Sequence, residues 1–284
     1  MRFFIILSCL LLTGCAVTID EVQQEEQLND ELLIQQDESA SEEQPLLDFL
    51  DDLLPFNKQH SVYYLALGDS LTRGVGDEED NYGFTGRLAQ HLEEQPTIAE
   101  VHLENRGKNG RRSDQLLNLL ERGHYDEQLE KANLVTITLG GNDVMKIVKR
   151  DVFNLKEKMF LKELTPFEER YRAIIDAIRA RNADVPIIML GFYNPFAIIT
   201  DETKAFNGIL NAWNDTIESV SSEDHNACYV PVEDLFKSND DLIYHTDFFH
   251  PNANGYNRMT KRVIEKLHAC DIEKMSEGLI RLEE

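Results

Sequence analysis

The stretch Val62-Tyr63-Tyr64-Leu65-Ala66-Leu67-Gly68-Asp69-Ser70-Leu71 decides how the chain is read. Its apolar and aromatic residues run without polar alternation and stop at a glycine. Such a run is buried on both faces, the habit of a parallel strand and not of a half-exposed antiparallel one. Gly68 permits a tight exit turn that leaves the Ser70 hydroxyl exposed at the strand tip. The same residues also read as an ordinary helix N-cap, so the tetrapeptide alone decides nothing about chemistry.

Four further runs repeat the pattern downstream: Val101–Asn105, Leu134–Leu139, Pro186–Leu190 and Cys228–Val232. Helix-like stretches separate them. Phe84 to Glu94 carries Leu88 and Leu92 four apart, and Ser113 opens a segment with Leu116, Leu117 and Leu120. Thr165-Pro166-Phe167-Glu168 reads as a helix start, with Pro in the first turn and the helix running to about Arg181. Asp201 opens another through Phe206, Leu210, Trp213 and Ile217, and Ala253 opens the last, through Leu267. Strands alternating with helices predict an α/β fold, a three-layer α/β/α sandwich around a central five-stranded parallel sheet. Its chemistry belongs at the carboxyl ends of the strands.

Four clusters fall at strand ends or helix entrances. Gly68-Asp69-Ser70-Leu71 follows strand one, and Asn105-Arg106-Gly107-Lys108-Asn109-Gly110 follows strand two. Gly140-Gly141-Asn142-Asp143 follows strand three, and Asp247-Phe248-Phe249-His250-Pro251 precedes the last helix. Glycines let backbone N–H groups face a cleft, an Asn amide adds a donor, and Asp and His three apart can both face a serine from strand one. Taken singly, each is also an ordinary turn or cap.

Together and in this order the clusters resemble the blocks of the SGNH (GDSL) hydrolases, over about Val62 to Leu267. The resemblance implies a flavodoxin-like sandwich, with Ser70 as nucleophile, His250 as general base and Asp247 as orienting acid. It implies an oxyanion hole from the backbone N–H groups of Ser70 and Gly110 and the Asn142 amide, with Asp69 bracing the serine loop. That chemistry is self-consistent: a serine hydroxyl needs a base within reach, and the oxyanion needs preorganised donors. No GxSxG, HExxH, Walker loop or GxGxxG is present, so neither a metal nor a cofactor is expected.

The N-terminus reads as an address. Arg2 precedes an apolar run from Phe3 to Leu12, too short to span a bilayer but suited to a signal peptide. Leu12-Thr13-Gly14-Cys15 closes it in the manner of a bacterial lipobox. The expectation is a signal peptide over 1–14 and fatty acyl chains such as palmitate on Cys15. An acidic tether over 15–60 and a catalytic domain over 61–284 complete the chain, the enzyme being exported and held to the membrane by lipid. Residues 16–60 hold thirteen acids and, among bases, Lys58 alone. Their composition cannot bury enough apolar surface to offset ordering entropy, although Leu46 to Leu54 could form one amphipathic turn before Pro55.

The whole chain of 284 residues has a formal charge of −24, which argues against nucleic acid as partner and equally against electrostatic docking on anionic lipid. With Cys15 lipidated, Cys228 and Cys270 are either a pair or two separate buried thiols. Oligomeric state is left open. Two functions compete: an esterase cleaving lipid acyl esters, of lipase or lysophospholipase type, and a carbohydrate O-acetylesterase acting on cell-wall or extracellular glycans. A non-enzymatic binding lipoprotein would lack an intact triad. Val144–Leu164 either supplies an acyl channel through Phe153, Leu155 and Phe160 or packs as a plain amphipathic helix.

Overall fold

The computed structural model describes residues 60–151, 153–195, 204–237 and 242–283. The expected signal segment, Cys15, the Leu46–Leu54 turn and the tether lie outside the described residues, apart from the tether's last residue, His60, which opens the first strand.

Five strands form one sheet: β1 (His60–Gly68), β2 (Ile98–Gly107), β3 (Leu134–Thr138), β4 (Ile187–Leu190) and β5 (Ala227–Val230). They lie in the order β2-β1-β3-β4-β5 and every pairing is parallel. Within β1, Leu65 and Leu67 enter one core and Val62, Tyr64 and Ala66 the other. This is why the run shows no polar alternation: both faces are covered by helices.

On the Leu65 face pack α3 (Ser113–Glu121), α5 (Gly141–Arg150), α6 (Glu157–Arg179) and α7 (Lys204–Glu223). On the other lie α2 (Gly83–Glu93) and α8 (Ala253–Ala269). The shorter α1 (Ser70–Arg73), α4 (Asp126–Lys131), a 3-10 turn (Glu233–Phe236) and α9 (Ile272–Met275) complete the described elements. The result is the expected three-layer sandwich.

The helix start expected at Thr165-Pro166 is a correction. Pro166 sits inside α6, which begins at Glu157. The ring removes one helical hydrogen bond, a cost of about 3 kcal/mol. The apolar face holds the helix together across it: Phe160 before the proline and Phe167, Tyr171, Ile174 and Ile178 after it are all buried in one core.

Cys228 of β5 and Cys270 at the end of α8 form a disulfide, with Cα atoms 6.1 Å apart. It ties the edge strand to the helix that carries the His250 loop on its N-terminal side.

In this strand order the chain leaves β1 in one direction toward β2 and in the other from β3 onward. The crevice between the carboxyl ends of β1 and β3 is therefore the topological switch point, where open α/β sheets bind ligands. Ser70 follows β1 and Asn142 follows β3.

Candidate active site

The exit of β1 is built for close approach. A Cβ on Gly68 would lie 2.4 Å from Thr72 Oγ1 and 2.6 Å from the Thr138 carbonyl oxygen. Only glycine allows β1 to meet β3 this tightly. The two strand ends are then stitched together: the Asp69 N–H donates to the Thr138 carbonyl at 3.2 Å, and the Thr72 and Thr138 hydroxyls lie 2.7 Å apart. Asp69 caps α1 by accepting from the Leu71 N–H at 3.0 Å. The serine thus begins a helix, held on the floor of the crevice and almost wholly buried.

Asp69 does more than cap. One carboxylate oxygen accepts from the Thr138 hydroxyl at 2.9 Å, and the other lies 3.3 Å from Asn142 Nδ2. Burial pushes its carboxyl up to about 6, against the hydrogen bonds from Leu71 and Thr138. One Asn142 N–H is engaged by Asp69, which leaves the second for the crevice that Asn142 lines.

From the loop before α8, His250 Nε2 reaches within 2.9 Å of Ser70 Oγ, and its Nδ1 lies 2.6 Å from Asp247 Oδ2. A neutral imidazole protonated on Nδ1 donates to the carboxylate and accepts from the serine hydroxyl. Asp247 Oδ1 accepts the backbone N–H groups of Phe249 and His250 at 3.0 and 2.9 Å. Partial burial opposes ionisation of Asp247. The hydrogen bonds from the imidazole and these two N–H groups outweigh it and hold the carboxyl down at about 2. The loop is pinned from the sheet side as well, since the buried Tyr193 donates its hydroxyl to the Phe249 carbonyl at 2.8 Å.

Asp143, one residue past Asn142, turns elsewhere. Its carboxylate accepts the Ser113 hydroxyl at 2.6 Å and the Ser113 N–H at 3.0 Å, with Arg170 3.5 Å away. It anchors α3, and the carboxylate that reaches His250 is Asp247. Gly110 adopts a left-handed φ of +73° in a loop tied to β1 by the Lys108 N–H, which donates to the Gly68 carbonyl at 3.1 Å. It lines a polar recess with Lys108 and Asn109.

The crevice itself is apolar. A cavity of about 500 Å³, counting the open space at its mouth, runs from Ser70 and Asn142 past Val144, Met145, Phe192, Phe206 and Leu210. Of the two readings left open for Val144–Leu164, the channel through Phe153, Leu155 and Phe160 is not found, since none of the three lines the cavity. Phe153 is fully exposed, Leu155 is exposed, and Phe160 is buried behind the wall, its ring 5.7 Å from that of Phe206. Only the first turn of α5 faces the crevice. The rest of α5 leads away from it, and α6 returns on the far side of Phe206. Phe192 and Tyr193 were missed by sequence reasoning. Their signal was an aromatic pair directly past the carboxyl end of β4, the same kind of position that singled out the other clusters.

Residues 66–258, more than half of the chain, match the GDSL-like lipase/acylhydrolase family. The chain belongs to this family. It is a serine ester hydrolase of the GDSL type. An uncharacterized protein of Bacillus subtilis, YpmR, is 36% identical over 212 residues, covering 74% of this chain and 82% of the relative. The spore germination lipase LipC of Bacillus licheniformis is 29% identical over 210 residues, covering 72% and 95% of the two chains. Among solved structures, the lipase Lip_vut3 from a goat rumen metagenome superposes with a TM-score of 0.64 at 27% identity, over 78% of this chain and all of the other.

Proposed function

We propose that this GDSL-type hydrolase cleaves acyl esters with a chain longer than acetate, in the manner of a lipase or lysophospholipase, at the outer face of a membrane. The carrying observation is the apolar cavity that opens directly from Ser70. In this reading Ser70 Oγ attacks the carbonyl while His250 Nε2 takes its proton. Asp247 holds the ring as the Nδ1–H tautomer and stabilises the imidazolium that forms. The Ser70 and Gly110 N–H groups and the Asn142 amide receive the oxyanion, with Asp69 fixing the rotation of that amide. His250 then returns the proton to the leaving alcohol, and water repeats the cycle on the acyl-enzyme. Both similar proteins named as lipases favour a lipid ester over a glycan acetate.

The test is a series of p-nitrophenyl esters from acetate to palmitate. Each methylene buried is worth about 0.8 kcal/mol, so a few of them inside the cavity raise kcat/KM for octanoate over acetate by at least ~10-fold. Met145→Asp places a charge in the cavity wall and lowers that ratio by a similar factor, with thermal stability measured beside it. A preference for acetate, with a ratio indifferent to Met145→Asp, rejects the acyl cavity and favours the carbohydrate O-acetylesterase.

Export and anchoring rest on the Leu12-Thr13-Gly14-Cys15 motif, and a disulfide suits an oxidising compartment. With the membranes washed in high salt, Cys15→Ser is expected to move the enzyme from the membrane fraction to the soluble one. Retention of the variant on membranes in amounts equal to the parent removes Cys15 as the anchor.

A further inference from the structure

The surface between α5 and the outer face of α6 departs from the rest of the molecule in two ways at once. Phe153 stands fully clear of the protein, and Leu155 and Leu161 are 41% and 47% exposed. Among the described residues, exposed large apolar side chains are few, and half of them fall within these nine positions. The same stretch of chain holds Lys146, Lys149, Arg150, Lys156, Lys158 and Lys162, all exposed, against the acids Asp151, Glu157 and Glu163. Residues 146–163 thus carry a net +3 within a chain of −24. Lys146 and Arg150 share a recess with Asp114 and Glu163, which leaves the other four cations to the patch. Among the described residues, no carboxylate forms an ion pair with Lys149, Lys156, Lys158 or Lys162. Leu161 shares the outer side of α6 with Lys158 and Lys162, one turn apart, while Phe160 on the inner side is buried.

We infer that this patch docks the enzyme on an anionic phospholipid bilayer, Phe153, Leu155 and Leu161 entering the acyl boundary and the lysines meeting the lipid phosphates. Exposed Phe and Leu ringed by Lys and Arg are the composition that seats a segment in a membrane interface. In water, a protruding phenylalanine beside unpaired lysines gains nothing. Charge complementarity selects an anionic surface as the occupant. The overall acidity repels the remainder of the enzyme from that surface, so docking would have one orientation. The same two helices also wall the cavity from their inner sides: Val144 and Met145 line it over Ser70, and Phe160 backs Phe206, which lines it too.

This goes beyond the esterase reading and is measured without turnover, so either can fail alone. The chain from Ala16 to Glu284 keeps every described residue and lacks the cysteine expected to be acylated. It is sedimented with vesicles of equal phosphatidylglycerol and phosphatidylcholine, and with phosphatidylcholine alone. The expected result is binding to the anionic vesicles at least about fivefold above the neutral ones, falling in high salt. Phe153→Asp and the pair Lys156→Glu with Lys158→Glu each lower it by at least about fivefold. Leu242→Asp, at another exposed leucine, leaves it unchanged. The Phe153→Asp protein keeps its thermal midpoint, because the ring is fully exposed. Absence of binding, including through occupation of the patch by the acidic 16–59 stretch, overturns the proposal, as does binding indifferent to the patch variants. Concentration-dependent self-association abolished by Phe153→Asp reassigns the patch to a second copy and overturns it equally.

Discussion

Ser70→Ala lowers ester turnover by at least about 10⁴-fold and leaves the protein folded. The size follows from the geometry. The Ser70 hydroxyl lies 2.9 Å from His250 Nε2, within reach for proton transfer, on the floor of the apolar cavity. Without the hydroxyl no acyl-enzyme forms, and the remaining groups can only bind the ester and polarise its carbonyl. Folding is spared because alanine suits the first turn of a helix. The cap of α1 comes from Asp69 through the Leu71 N–H, not from the serine. Steady-state hydrolysis of a soluble ester, with circular dichroism of the same sample, checks both halves. Turnover within about tenfold of the parent, in protein freed of contaminating esterase, would sink the assignment of Ser70 as nucleophile.

Much of this site was legible because its residues sit where strands stop. A parallel strand buried on both faces must read as an unbroken apolar run, so the ends of β1, β3 and β4 announce themselves at Gly68, Gly140 and Gly191. The groups just beyond those glycines are the ones a substrate meets. Residues on and between helices are harder to place, because helical periodicity says which face is buried and not against what. Phe206 read as an apolar position of a helix, and Phe160 as either channel or core. One lines the cavity and the other stands behind it, a distinction made only when α6 and α7 pack. Phe153 and Leu155 failed as channel residues for the same reason: nearness to Asn142 in sequence does not survive the length of α5. Pro166 misled because its local preference for a first turn was weaker than the burial of Phe160 and Phe167 on either side of it. The Cys228–Cys270 pair needed the Cα atoms of β5 and α8 brought to 6.1 Å, which spacing along the chain does not contain.

Asp247→Asn is expected to cut kcat by about 10⁴-fold, while Asp143→Asn costs less than about tenfold. Both carboxylates stand near the catalytic blocks in sequence, and the structure separates them by what they hold. Asp247 Oδ2 lies 2.6 Å from His250 Nδ1, whereas Asp143 is consumed by Ser113 and Arg170. An asparagine at position 247 can still accept the Phe249 and His250 N–H groups, so the loop survives. It no longer stabilises an imidazolium, and its amide can donate to Nδ1. That tautomer points an N–H at Ser70 where a lone pair is required. The Asp143→Asn change leaves His250 untouched but weakens a buried hydrogen-bond pair, so its effect falls on stability, by about 1–3 kcal/mol. Acid gives an independent reading. The Asp247 carboxyl is depressed to about 2, below its value in the unfolded chain. Its contribution to stability is complete above the unfolded value, near ~4, and is lost as pH falls through about 2. Loss of activity above pH ~4 therefore belongs to another group, and the parent enzyme should keep an ionised Asp247 throughout that range. Rates of both variants on one soluble ester, with their thermal midpoints, decide the matter. A large loss of kcat in Asp143→Asn with near-parental kcat in Asp247→Asn would exchange the two roles.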